Sequence, residues 1–242
     1  MEEIIFSKFK NYAQNFDFSN DMISRKFYHT FRVVNYAKDI AQSENLNEHD
    51  YNLAIICALL HDIGRFKQAT TYKTYEDLKS VDHGNLGYEI LFENDYISEY
   101  VTNTYDKEIV LKAVKNHNKF IIDESLNDKE LFFAKLTRDA DKLDILDKQQ
   151  NEINDNINVI DEKSISFIKE NKLFKRDGNV KNNATDIVNT ITFIFDINFK
   201  STFEIIKEKK IIERKIDVLR KHCDANLVNE IENEINKYLN SK

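Results

Sequence analysis

The chain of 242 residues contains no proline, no tryptophan and only four glycines. Proline breaks helices and glycine weakens them, so helices can run here without interruption. The turns must then rely on Asn, Asp and Ser, whose side chains hydrogen-bond to nearby backbone groups. Three of the four glycines, Gly64, Gly84 and Gly87, lie close to histidines. Glycine used so sparingly predicts that backbones approach one another closely at those positions.

Cysteine is almost as scarce. Cys57 and Cys223 are too few for a disulfide framework, and the N-terminal MEEIIFSKFK has neither a basic start nor an apolar signal core. The longest apolar run, Leu53 to Leu60, is far shorter than the roughly 20 residues that a membrane-spanning helix needs. These features predict a cytoplasmic protein with reduced thiols and no membrane association, in which that run is a buried helix.

Charge of one sign is not concentrated in any segment. The formal net charge of −7 comes from interspersed acids and bases, and no basic block marks a surface for extended nucleic acid. A polyanionic substrate would therefore need local positive charge, such as bound metal ions. The hydrophobic content of 41%, with 12% aromatic residues, is ample for a packed core.

Apolar residues recur at helical spacing almost throughout, and strand-like alternation is nearly absent. The sequence therefore predicts an all-α fold. We expect Asp106 to cap one helix, and residues 151–183, rich in Asn, Asp and Lys, to form a loop-rich connection. Residues 1–150 are expected to form the functional core, and residues 151–242 a helical extension packed on the same domain. The clearest apolar stripes are Phe27, Phe31, Val34 and Ala41, then Val110, Ala113, Val114 and His117, and finally Leu227, Ile231, Ile235 and Leu239.

The sharpest local signal is His61-Asp62, which directly follows the apolar run. A helix that is hydrophobic all round should be buried, and a charged Asp at its buried end needs a partner. A metal ion supplies one, since imidazole and carboxylate both coordinate divalent cations. The alternative is a helix-terminal pair that merely caps the segment.

Four further residues can join this pair, although each has an ordinary structural explanation as well. His29 could be structural or exposed, and His83, with Gly87 one turn later, could simply follow an N-cap. His117 completes an apolar stripe and could be a satisfied core histidine. Asp141, in RDADKLDIL, could belong to a solvated acidic face. Taken together, four imidazoles and two carboxylates are enough to hold two metal ions with one bridging carboxylate.

The order of these histidines and aspartates resembles the HD-domain superfamily of metal-dependent phosphohydrolases. The resemblance covers roughly residues 22–148 and is carried by ALLHDIGRF, DHGNLGYEIL and DADKLDIL. It implies an HD helical bundle with two divalent metal ions, for which Mn, Fe, Co, Ni, Zn or Mg would be suitable. The implied ligands of the first ion are His29, His61, Asp62 and Asp141. Those added for the second ion are His83 and His117, with Asp62 bridging both ions.

The implied reaction is hydrolysis of a phosphoester by a water whose pKa the metal ions lower. Asp62 would take part as the bridging ligand, and Arg65 could clamp a phosphate through its planar guanidinium. Lys142 or Lys115 could assist the leaving group. Arg65 could instead pair with one of the chain's surface acids.

Two departures from well-known branches of the family narrow the substrate. The chain lacks the Gly-Tyr-Pro signature of the cyclic-dinucleotide branch after His117, and it lacks the Glu-Asp pair of alarmone hydrolases after Asp62. What remains resembles small HD proteins that act on nucleotides or other phosphomonoesters. We therefore expect a small phosphorylated substrate, such as a nucleotide, and no extended nucleic acid. The sequence leaves the oligomeric state open.

Two other functions also stay open. A few HD-fold proteins use a di-iron site of the same ligand type to activate oxygen, and His/carboxylate ligands suit redox-active iron. Alternatively, the site is structural or senses a nucleotide, while the amphipathic segment from Leu227 to Leu239 binds a partner or forms a dimer. Oxygen uptake would favour the first alternative. A full metal complement without turnover would favour the second.

Overall fold

The computed structural model describes residues 1–148, 159–175 and 182–242. Within these ranges it contains α-helices and 3-10 turns but no β-strand, which confirms the predicted all-α fold. The chain divides into two compact units, Met1–Asp144 and Ile145–Lys242. That the C-terminal residues pack on the same domain as the functional core stays a prediction.

The first unit is built from helices joined by short connections: α1 (Glu2–Ala13), α2 (Asp21–Ser43), α3 (Glu48–Leu60), α4 (Ile63–Tyr72), α5 (His83–Phe92), α6 (Thr104–Asn116) and α7 (Asp128–Asp147). Helix α2 packs against α3, α4 packs against α5, and α5 packs against α6. Two 3-10 segments, Asp77–Lys79 and Glu93–Glu99, lie before and after α5. This order places the ends of α3 and α6 and the start of α5 in the same part of the unit.

Asn and Asp side chains cap several of the helices. Asp82 accepts a hydrogen bond from the backbone N–H of Asn85 at the start of α5 (2.9 Å). The N-cap of α6 is Asn103, so the prediction that Asp106 caps this helix is wrong. Asn103 takes the cap position three residues earlier, which leaves Asp106 buried in the first turn. There its carboxylate lies 2.9 Å from Nε2 of His49.

The core of the first unit combines an apolar helix with an aromatic cluster. Every residue from Leu53 to Leu60 is at most 5% exposed, which confirms that this run is a buried helix. The Phe9 ring of α1 lies 5.9 to 6.2 Å from the ring centroids of Phe27, Phe31 and Phe66. Within the described ranges, no helix combines the length and the apolar character that spanning a bilayer requires.

Three glycines let α4, α5 and α6 approach one another closely, which confirms the prediction made from their scarcity. A Cβ atom on Gly64 would lie 2.7 Å from the backbone nitrogen of Gly87, so α4 and α5 could not keep their separation. A Cβ atom on Gly84 would collide with the Asn118 side chain just beyond α6. One on Gly87 would lie 2.9 Å from Cγ1 of Val114. The glycines therefore bring α5 against the start of α4 and the end of α6.

The second unit contains shorter helices: α8 (Glu162–Lys169), α9 (Asn183–Ile191), α10 (Lys200–Glu208), α11 (Ile211–His222) and α12 (Ala225–Leu239). Helix α12 buries Ile231 and Ile235 and packs against α8 and α11, so its amphipathic stripe contributes to the core of this unit. The predicted loop-rich connection over residues 151–183 is interrupted by α8, because Asp161 caps a short helix there. The rest of that prediction falls partly on residues 149–158 and 176–181, which lie outside the described residues.

Candidate metal centre

The packing of α2 against α3 brings His29 next to the His61-Asp62 pair. The two Nε2 atoms of His29 and His61 lie 3.3 Å apart. Oδ2 of Asp62 lies 3.4 Å from the first of these nitrogens and 3.5 Å from the second. All three side chains are buried, and their ligand atoms are close enough together to hold one ion.

Helix α7 adds a second carboxylate to this group. Oδ1 of Asp141 lies 3.1 Å from Nε2 of His29 and 3.7 Å from Nε2 of His61. Two imidazoles and two carboxylates therefore converge from three helix segments that are distant in sequence. We call His29, His61, Asp62 and Asp141 the first ligand group.

A second ligand group forms on the opposite side of Asp62. Nε2 of His83, at the start of α5, lies 3.0 Å from Nε2 of His117, just after α6. The other carboxylate oxygen of Asp62, Oδ1, lies 3.4 Å from the His83 nitrogen and 3.5 Å from the His117 nitrogen. The two oxygens of Asp62 thus face two different pairs of imidazoles.

The residues of both groups fit the binding of cations. Burial raises the pKa of Asp62, but Lys26 and His61 outweigh it and hold that pKa well below its usual range. The carboxylate is therefore ionised at 2% exposure, and no described residue donates a hydrogen bond to its Oδ1. An ionised oxygen left without a donor in the interior is costly, and a metal ion would satisfy it. Imidazole nitrogens and carboxylate oxygens are ligands that Mn, Fe, Co, Ni and Zn accept.

The other ring nitrogen of each histidine is held by a hydrogen-bond acceptor. Nδ1 of His61 donates to the Ala58 carbonyl oxygen, and Nδ1 of His117 donates to the Val114 carbonyl oxygen, both at 2.7 Å. A carbonyl oxygen can only accept, so in these two rings Nδ1 carries the proton. In the neutral form of either ring, the lone pair of Nε2 is then directed at the ligand group, which is the tautomer that a metal ligand requires.

For the remaining two histidines the acceptor is a carboxylate. Nδ1 of His29 lies 2.6 Å from Oδ2 of Asp144, and Nδ1 of His83 lies 2.6 Å from Oδ2 of Asp77. Arg32 donates two hydrogen bonds to Asp144, of 2.6 and 3.0 Å. Such carboxylate–histidine pairs fix the ring orientation and raise the basicity of the ligand nitrogen.

The first ligand group attracts positive charge more strongly than the second. Burial lowers the pKa of His61, but Asp62 and Asp141 outweigh burial and raise it to about 10. The pKa of His29 is also raised, since carboxylates including Asp141 and Asp144 outweigh burial and the nearby Lys26. Two carboxylates in this group produce the effect, so we expect it to bind the first ion.

The histidines of the second group are held neutral. Burial and Arg65 lower the pKa of His83 to about 3, against the opposing effect of Asp77. Burial lowers the pKa of His117 as well, although Asp62 opposes the change. Neutral imidazole is the form that coordinates a metal ion, so these nitrogens need not lose a proton on binding.

The three cations that were predicted to act on the substrate lie in different surroundings. Arg65 has its Nε atom 3.5 Å from Oδ1 of Asp62, but its Nη1 atom donates to Gln68, to the Tyr75 carbonyl oxygen and to Asp77. Lys142 is buried on α7 directly after Asp141. Lys115 is exposed on α6, with its ammonium over the Tyr88 ring. The predicted roles of these three cations stay predictions.

The sequence did not identify three charged residues that surround the ligands. Asp144 and Lys26 share helix faces with Asp141 and His29 respectively, so helical spacing could have indicated both. Asp77 lies in a 3-10 turn with no periodic pattern around it, and only the folded chain places it beside His83. Of the three, Lys26 contacts a ligand carboxylate directly, with its ammonium 2.5 Å from Oδ2 of Asp62.

Comparisons with known proteins identify the family to which this region is similar. The family model described as HD domain matches residues 27–146. Over 83 residues, 33% of this chain, the sequence is 37% identical to the CRISPR system single-strand-specific deoxyribonuclease Cas10/Csm1 (subtype III-A) of Methanocaldococcus jannaschii. The alignment covers 10% of that relative, so the chain spans about a tenth of the length of the curated protein that it matches. No solved structure gives a significant match. Residues 27–146 contain both ligand groups, and through this domain the chain belongs to the HD-domain superfamily.

Proposed function

We propose that this chain hydrolyses a phosphoester with a water activated by two divalent metal ions. The observation that carries the proposal is the position of Asp62, whose Oδ2 faces His29 and His61 while its Oδ1 faces His83 and His117. A carboxylate between two imidazole pairs is the arrangement that two-metal hydrolases use to hold both ions. Membership of the HD-domain superfamily supports metal-dependent phosphohydrolase chemistry.

The protein's own contribution is to hold the ligands in place before the ions and the substrate arrive. Bound ions would lower the pKa of a water and neutralise charge on the phosphoryl oxygens. Asp144 and Asp77 fix the rings of His29 and His83, so that the ligand nitrogens need not reorganise. Burial of the ligands keeps bulk water away from the same nitrogens and strengthens their interaction with cations.

We propose that the substrate is a small phosphorylated molecule, such as a nucleotide. The net charge of −7 disfavours binding of a long polyanion except where positive charge is concentrated. A second candidate is cleavage of single-stranded DNA, which is favoured by the partial similarity to a protein named as a single-strand-specific deoxyribonuclease. Both reactions break a phosphoester bond, so the same ligand groups would serve either of them.

The test combines elemental analysis of the purified full chain with product release. Phosphate release is measured from nucleoside mono-, di- and triphosphates and generic phosphoesters, with and without manganese, and cleavage is measured on a single-stranded DNA oligonucleotide. We expect about two metal ions per chain and manganese-dependent release from one class of substrate. Cleavage of the oligonucleotide alone would instead favour the second candidate.

A matched pair of double variants assigns the activity to the proposed centre. His61→Ala with Asp62→Ala should abolish metal binding and turnover together, because it removes one ligand of the first ion and the bridging carboxylate. The chain offers a second adjacent His-Asp pair as the control, His49 and Asp50 at the start of α3, where His49 is 60% exposed. His49→Ala with Asp50→Ala should keep both properties. Turnover by the first variant without bound metal would refute the proposal.

The same measurements separate the proposal from its alternatives. Two iron ions with oxygen uptake coupled to substrate loss, and no phosphate release, would indicate a di-iron oxygenase. A full metal complement without turnover on any substrate would indicate a structural or sensing role.

A further inference from the structure

Lys26 provides positive charge at the first ligand group. It lies on α2 one turn before His29, and its ammonium is 2.5 Å from Oδ2 of Asp62. The Asp62 side chain is 2% exposed, whereas the Lys26 side chain is 19% exposed and so still reaches solvent. The oxygen that Lys26 contacts is the one that faces the nitrogens of His29 and His61. Lys26 therefore binds an atom that the first metal ion would also bind.

An aromatic ring holds Lys26 at the edge of the centre. The ammonium lies 5.7 Å from the centroid of the Tyr75 ring, and the Arg65 guanidinium lies 5.3 Å from the same centroid. The Tyr75 hydroxyl donates a hydrogen bond to the Met22 carbonyl oxygen, which ties the ring to α2. A cation beside an aromatic face keeps an attractive partner even after its carboxylate has bound another cation.

Metal binding and the ion pair of Lys26 with Asp62 exclude each other electrostatically. A divalent ion at Oδ2 of Asp62 and an ammonium at 2.5 Å from that atom would be within a few ångströms of each other, where like charges repel strongly. The flexible four-carbon stem of lysine allows the ammonium to move without a change in the helix. An ammonium displaced from Asp62 but retained near Tyr75 would lie beside the ions, where a phosphoryl group must bind.

We propose that Lys26 has two partners in succession. In the metal-free protein it neutralises Asp62, and after the ions bind it contacts the phosphoryl oxygens of the substrate. This inference rests on the proposed phosphohydrolase function and adds a substrate-binding residue to it. No covalent step is involved, because Lys26 acts as a cation throughout.

The first test is a manganese titration of the chelator-treated full chain, in which electron paramagnetic resonance counts the free Mn²⁺. Lys26→Met should bind the first Mn²⁺ about tenfold more tightly than the wild type, because the competing cation is gone. Lys26→Arg keeps the charge and should bind within about threefold of the wild type. The control is Lys38→Met, on the same helix and also 2.5 Å from a carboxylate, that of Glu2. Equal affinity in Lys26→Met and Lys38→Met overturns the proposal.

The second test measures inorganic phosphate binding to the manganese-saturated proteins by isothermal titration calorimetry. Lys26→Met should bind phosphate about tenfold more weakly, since one charge-assisted contact is lost, and Lys26→Arg should lie between it and the wild type. Lys38→Met should bind phosphate like the wild type. Unchanged phosphate affinity in Lys26→Met overturns the second half of the proposal.

These readouts distinguish failure of the inference from failure of the proposed function. A wild-type protein that binds manganese but releases no phosphate from any ester contradicts the proposed function, while both titrations still decide the role of Lys26. If the wild type hydrolyses esters but Lys26→Met binds manganese and phosphate with unchanged affinity, only the inference about Lys26 is contradicted. Absence of manganese binding in every variant contradicts both. Circular dichroism of Lys26→Met and Lys26→Arg verifies that each variant is folded before it is titrated.

Discussion

Two carboxylates outside the ligand groups fix the ring orientation of two of the histidines. Asp144 holds His29 and is itself held by Arg32, while Asp77 holds His83 and accepts from Asn118 at 3.2 Å. Both carboxylates have pKa values below the ordinary range, despite burial, because these histidines lie beside them. Each is therefore ionised and can only accept the Nδ1 proton. The two ligand groups thus depend on different supporting residues.

This separation predicts that the two ions can be lost independently. Asp77→Asn should weaken binding of the second ion about 10- to 100-fold, because His83 loses the acceptor that orients its ring. Binding of the first ion should not change. Asp144→Asn should instead weaken binding of the first ion, because Asp144 orients the ring of His29. Asp95→Asn, at an exposed acid in the same unit, is the control. Manganese stoichiometry at limiting concentrations measures the effect, and equal loss of both ions in either variant would contradict independent support.

The sequence predicted which histidines and aspartates lie together in the fold, but not which residues hold their side chains in place. His61 and Asp62 could be found because an apolar helix that ends in a charged pair requires a partner inside the protein. His117 could be found because it completes an apolar stripe, and its 3% exposure confirms that it points inward. Asp77 could not be found, since its role depends on a loop that only the folded chain brings beside His83.

At the scale of elements, the centre depends on how closely helices approach one another. Helix α3 carries His61 and Asp62 into the interior because its C-terminal part, Leu53 to Leu60, is apolar and buried. Helix α5 reaches them because Gly64 and Gly87 allow its backbone to touch that of α4. The second ligand group is therefore a consequence of helix packing.

Gly64→Ala should damage the second ligand group selectively. The added Cβ atom would meet the backbone of α5 rather than a flexible side chain, so the helices must separate. We expect a loss of about 1–3 kcal/mol in the free energy of unfolding and weaker binding of the second ion. Thr70→Ala, at an exposed position of the same helix, should change neither. Urea denaturation and manganese stoichiometry measure the two effects, and an unaltered second ion would show that close approach is not required.

Helical periodicity was sufficient to predict the elements themselves, but not all of their ends. The stripe through Val110 and Val114 is buried in α6 as predicted. The start of that helix was predicted at Asp106 because Asp and Asn both cap helices, and the sequence does not rank Asn103 above it. Helix α8 was missed because its segment is short and polar, and only a few side chains such as Ile168 are buried.

At the scale of the whole molecule, the two units differ in what their buried charges do. In the second unit Lys215 is 4% exposed, and burial lowers its pKa from 10.5 to about 8. The unfolded chain then binds more protons than the folded chain between these two pH values, so this residue makes stability rise with pH over that window. Below pH 8 its full cost is present, about 3 kcal/mol at 1.36 kcal/mol per pKa unit.

Lys215→Met should therefore stabilise the second unit at pH 7, and the gain over the wild type should shrink as the pH approaches 10.5. Urea denaturation followed by circular dichroism at pH 7 and pH 10 measures the gain at each pH. Lys221→Met, at an exposed position of the same helix, should leave stability unchanged. A gain of the same size at both pH values would show that the charge of Lys215 is not its cause.

Anomalous diffraction from manganese-soaked crystals of the full chain would show whether Asp62 bridges two metal ions. We expect two anomalous peaks about 3.5–4 Å apart, one at Oδ2 of Asp62 beside His29 and His61 and the other at Oδ1 beside His83 and His117. A single peak, or peaks that do not contact the Asp62 carboxylate, would contradict it.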